Sequence, residues 1–134
     1  MKELYFDDLN PYGRERFMTK PISKERYNWK AEALPLMRLI KEYARLTDSV
    51  KVFAMRLTKL GEVIMRLDMS ADEYEYAFML GDLEDELDAI TDAVYNRMQS
   101  STAPRTERLS DLVGEIDFEL DELKEKVGQY NVLF

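Results

Sequence analysis

The stretch "PLMRLIKEYARLTDSVKVFAMRLTKLGEVIMRLD", Pro35 to Asp68, decides the fold. Its apolar residues fall at Leu36, Leu39, Tyr43, Leu46, Val50, Phe53, Leu57, Leu60, Ile64 and Leu67, in alternating steps of three and four. That is a heptad seam, the pattern of a helix that buries one face against other helices. Thr47, Asp48 and Ser49 are the weak point, because their side chains compete for backbone hydrogen bonds. The register nevertheless passes through them unbroken, and it predicts one helix over about 35–68. Such a rod would be roughly 50 Å long at 1.5 Å per residue, and too apolar to stand uncovered.

Working outward, Pro35 suits the first turn of that helix, where its missing N–H is not needed. Upstream, Pro11, Gly13 and Pro21 punctuate a segment without apolar periodicity, which reads as an extended N-terminal arm over 1–22. A short helix over about 23–33 follows, with Ser23 as its N-cap. Downstream, "SADE", Ser70 to Glu73, has the spacing of a capping box and opens a helix over about 70–99. Its stripe is Tyr76, Leu80, Leu83, Leu87, Ile90, Val94 and Met98. "QSSTAPRT", Gln99 to Thr106, is a linker. A third stripe, Leu109, Val113, Ile116, Leu120, Leu123 and Val127, marks a helix over about 104–128, with Gly128 at its C-cap and an apolar tail over 129–134. The expectation is an all-α fold: an elongated antiparallel three-helix bundle of coiled-coil character, residues 23–134, with an extended N-terminal arm.

Composition narrows the chemistry. The 134 residues contain neither cysteine nor histidine. Disulfides, thiolate-bound zinc and every mechanism that needs an imidazole or a thiol are therefore excluded. No run of 18 or more apolar residues suggests a membrane span, and the acidic start "MKELYFDDLNPYG" has no apolar leader region. A cytoplasmic protein, or one held within a viral particle, is the expectation. The net charge of −8 hides a division: residues 1–66 carry 14 Lys and Arg against 9 Asp and Glu, and residues 67–134 carry 5 against 18. These halves either neutralise each other on packing or form opposed steering surfaces.

Several constellations are candidates for function. Tyr12, Arg14, Arg16, Phe17, Tyr27 and Trp29 interleave rings and cations in and just after the arm, a composition that suits docking on an acidic protein surface or on nucleic acid. Tyr74 and Phe78 lie opposite the stripe of the second long helix, and Phe118 opposite that of the third. Leu133 and Phe134 end an apolar tail. Arg38, Arg45, Lys59 and Arg66 fall on one seven-residue repeat, with Val52 at its middle step, and would form a ladder of cations along one rod, able to track phosphates or an acidic partner. Val52 and Met55 also point away from the seam. The carboxylates Asp85, Asp88 and Asp92 raise the question of a magnesium site, but on a helical wheel they lie opposite the stripe, away from any cleft between helices.

No catalytic residue, metal or cofactor is expected. The leading expectation is a non-catalytic interaction or assembly protein, an adaptor or a component of a larger complex, whose partner is another protein or other copies of itself. The first alternative is nucleic-acid binding through the arm and the ladder. The second is an acidic helical inhibitor that imitates nucleic acid, and a carboxylate-magnesium hydrolase comes last.

Overall fold

The computed structural model describes residues 27–130. The expected arm over 1–22, the Ser23 cap and the tail residues 131–134 lie outside the described residues. Among the described residues the chain is all-helical: α1 (Trp29–Leu46), α2 (Val50–Met69), α3 (Glu73–Gln99) and α4 (Glu107–Tyr130). The helices pack as a ring in which α1 meets α2, α2 meets α3, α3 meets α4 and α4 meets α1. Contacts at the two ends set the directions. Trp29 at the start of α1 bonds Tyr76 at the start of α3, and Arg97 near the end of α3 reaches Thr47 at the end of α1. The result is an up-down-up-down four-helix bundle, about 40 Å long over the 27 residues of α3.

The predicted helix over 35–68 is thus two helices, and the three-helix count is corrected to four among the described residues. Thr47 is the C-cap of α1, and Asp48 has φ 53, the left-handed conformation that ends helices. The Ser49 N–H bonds the Ala44 carbonyl at 2.8 Å and the Asp48 N–H bonds the Arg45 carbonyl at 3.4 Å. This pair of reversed bonds is a Schellman motif, with aspartate where glycine is usual. The Thr47 hydroxyl donates to the Tyr43 carbonyl at 2.7 Å and lies 2.6 Å from the Ser49 hydroxyl. All three polar side chains that argued for a break therefore sit in the turn. The cost of the break falls on Val50, a seam residue in the sequence and 56% exposed in the fold. Because Asp48 holds a backbone that glycine adopts without strain, Asp48→Gly should stabilise the bundle by about 0.5–1 kcal/mol in urea unfolding, while a β-branched residue there should destabilise it.

Other boundaries shift for local reasons. α1 begins at Trp29, capped by Asn28, whose side chain accepts from the Ala31 N–H at 3.1 Å, and it runs without interruption through Pro35. Pro35 removes one in-helix donor, and both it and Ala31 are exposed, so the freed Ala31 carbonyl is open to water. The α3 cap is Asp72 rather than Ser70: Asp72 accepts from the Glu75 N–H at 2.8 Å, and Glu75 reaches back to the Ala71 N–H at 2.9 Å. The capping-box logic holds, moved by two residues. Gly128 lies inside α4, which continues to Tyr130.

The core follows the stripes. Tyr76, Leu80, Leu83, Leu87, Ile90 and Val94 of α3 are buried, and so are Leu109, Ile116, Leu120, Leu123 and Val127 of α4, with Leu112 deeper than Val113. In α1 the buried line is Trp29, Ala33, Leu36, Ile40 and Tyr43, and in α2 it is Phe53, Leu60, Ile64 and Leu67. At the end holding the α1–α2 turn, the Tyr43 and Phe53 rings pack edge to face at 5.8 Å. At the other end Tyr27, Trp29 and Tyr130 form a triangle with centroid distances of 4.7, 5.1 and 5.9 Å.

Burial and the neighbouring Glu32 push the Tyr27 phenol up to about 12, and burial raises that of Tyr43. The folded state therefore holds its phenolic protons after the unfolded chain has released them near pH 10. Stability from Tyr27 is full below pH 10 and should decline as the pH rises from about 10 to 12, and Tyr43 contributes a decline of the same sign. Thermal melts across that window should show a shallower decline in the Tyr27→Phe variant.

Candidate interaction surface

Because α1 and α2 are neighbours, as are α3 and α4, the division of charge along the chain becomes a division across the bundle. The α1 and α2 helices together carry eight Lys and Arg against four Asp and Glu, a balance of +4. The α3 and α4 helices carry four against sixteen, a balance of −12. Few ion pairs bridge the two layers. Arg56 of α2 lies 3.9 Å from Glu86 of α3, and Arg108 of α4 reaches Glu42 of α1 at 2.9 Å, which raises the Arg108 pKa further. Lys124 pairs with Asp88 at 3.0 Å and donates to the Thr91 hydroxyl at 3.3 Å, both within the acidic layer. Both faces keep their sign.

The candidate residues separate into three groups. Trp29 is 1% exposed and belongs to the core, so it is removed from the set of surface contacts. Tyr27 packs against it, under Lys126 at 5.7 Å. Their cationic neighbours made them look like arm residues, but Trp29 continues the α1 stripe one step upstream of Ala33. Tyr12, Arg14, Arg16, Phe17, Leu133 and Phe134 lie outside the described residues. Tyr74, Phe78 and Phe118 are 77%, 71% and 61% exposed, on outward faces of α3 and α4.

The cation ladder does not form one line. The reversal at 47–49 leaves Arg38 and Arg45 on α1 and Lys59 and Arg66 on α2, running in opposite directions. All four are exposed, and none forms an ion pair with another described residue. Asp85, Asp88 and Asp92 are exposed, and among the described residues no three carboxylates gather where a metal could be held. Among the described residues no helix is long and apolar enough to cross a membrane.

Two features went unread in the sequence. Met65 and Met69 are exposed on the outside of α2 together with Val52 and Met55. The off-seam rule that singled out Val52 and Met55 would also have found them. The other feature is a groove of about 580 Å³ between α2 and α3, with Val52, Phe53, Ala89 and Ala93 among its apolar lining and Arg56, Asp92, Asn96 and Arg97 among its polar lining. No periodicity in one helix announces a groove made by two. Searches of protein-family models, curated proteins and solved structures find no match for the chain.

Proposed function

We propose that this chain is a non-catalytic protein–protein interaction or assembly unit, an adaptor or a component of a larger complex. The observation that carries this reading is the pair of phenylalanines, Phe78 and Phe118, held outward on helices whose other outward residues are largely charged. Each stands beside a glycine inside its helix: Gly81 follows Phe78 by three residues, and Gly114 precedes Phe118 by four. A Cβ built on either glycine meets nothing within 4 Å. Alanine would fit both positions and would favour each helix by about 1 kcal/mol, so the bundle itself has no need of these glycines. They leave bare helix backbone next to an exposed ring, which suits the close approach of another protein.

A photo-crosslinking phenylalanine analogue placed at position 118 tests the reading in the native source. A discrete protein adduct is expected from position 118 and not from a control at the exposed Glu32. No adduct above that control would overturn the proposal for this face.

Arg38, Arg45, Lys59 and Arg66, which form no ion pair with another described residue, favour a second reading, attachment to nucleic acid. It predicts a gel shift at low ionic strength that fades steeply with salt. A titration without any shift removes it.

A further inference from the structure

We infer that two copies of this chain pair through their α2/α3 sides, about a two-fold axis parallel to the helices. This inference rests on the assembly reading and names its partner. The α2/α3 side joins one basic and one acidic helix, so it is complementary to itself.

The residues repeat in step. On α2 the exposed Val52, Lys59 and Arg66 stand seven apart, and on α3 the exposed Phe78, Asp85 and Asp92 stand seven apart. The Arg56–Glu86 contact at 3.9 Å fixes the relative level of the two antiparallel helices. Lys59 then lies close to the level of Asp85, Arg66 close to that of Phe78, and Val52 close to Asp92, with which it lines the groove. A rotation of 180° about an axis along the bundle preserves level and places α2 of one copy opposite α3 of the other. Lys59 then faces Asp85 of the second copy, and Arg66 lies over the ring of its Phe78, an arrangement that favours a cation–π contact. Each contact occurs twice, as in any isologous interface. The alternative axis, across the helices, sets α2 against α2 and brings like charges together.

Further observations on this side point the same way. The groove has a small-residue wall, Ala89 and Ala93, that admits a neighbouring side chain. Met55 and Met69, exposed on the same helix as Lys59 and Arg66, supply flexible apolar surface that adapts to a ring. Glu86 Oε1, buried between the two helices, makes no hydrogen bond.

Light scattering of the full chain at about 100 µM, at low and high salt, reads the pairing. The wild-type chain is expected at twice the monomer mass, with dissociation promoted by salt because the matched charges lie near the surface. Lys59→Asp alone and Asp85→Lys alone should each give monomers with unchanged helical content, because both sites are exposed. An equimolar mixture of the two variants should recover a 1:1 dimer, since each unlike pair is then restored across the interface. The double variant should likewise dimerise.

A monomeric wild-type chain would overturn the inference while leaving assembly with a different protein intact. A wild-type oligomer whose mass neither variant changes would overturn this interface alone. A mixture that stays monomeric would overturn the two-fold geometry.

Discussion

Replacing Trp29 with alanine should cost the bundle about 3–5 kcal/mol, the range for emptying a buried large aromatic site. The ring is 1% exposed, packs edge-on to Tyr27 and Tyr130, and donates from Nε1 to the Tyr76 hydroxyl at 2.9 Å. It ties the start of α1 to the start of α3 and the end of α4, helices brought together from distant parts of the chain. Trp29→Phe keeps most of the volume and loses the hydrogen bond, so it should cost nearer 1 kcal/mol. Guanidinium unfolding of the two variants checks both figures. A surface role for Trp29 would instead leave both midpoints at the wild-type value.

The second large effect is expected at the opposite end. The Arg97 guanidinium donates to the Thr47 carbonyl through Nε at 3.0 Å and also through Nη2, and its Nη1 reaches the Thr102 hydroxyl at 3.2 Å. One side chain thus joins the α1–α2 turn to the α3–α4 connection. It also places a cation at the C-terminus of α1, where the helix dipole favours one. Arg97→Ala removes charge-assisted bonds to the carbonyl of a residue that is only 1% exposed, and should cost about 2–3 kcal/mol. Arg97→Lys keeps the charge without the fork and should recover only part of that loss. Hydrogen exchange gives a local reading: the Ser49 amide, bonded to Ala44 in the turn, should exchange faster in the alanine variant.

The contrast between these two residues shows what the sequence discloses. Heptad spacing identifies the α3 and α4 stripes almost residue for residue, because burial on one helix face is a local property. It cannot count helices when a turn preserves phase. The interval from Tyr43 to Phe53 is ten residues, a permitted heptad interval whether the chain continues or reverses, and only Thr47, Asp48 and Ser49 carry the difference. Their preference for turns was the better guide than an unbroken register.

Trp29 was obscured in a similar way. Pro35 suggested a helix start, which cut the stripe running from Trp29 through Ala33 and Leu36. Arg97 was invisible as a clamp, since its partner lies fifty residues away and is a backbone carbonyl. The outward Phe78 and Phe118, by contrast, followed directly from the helical wheel.

The aromatic triangle has a consequence for handling the molecule. Tyr27 and Tyr130, at the two limits of the described bundle, have ring centroids 5.1 Å apart. A short peptide could join these two points while the chain is reopened between α3 and α4, giving a circular permutant with the same ring of helices. Tags carried beyond either limit start from a single pole, so two fluorophores placed there would report on each other, and a bulky fusion at that pole starts well away from the Arg97 clamp.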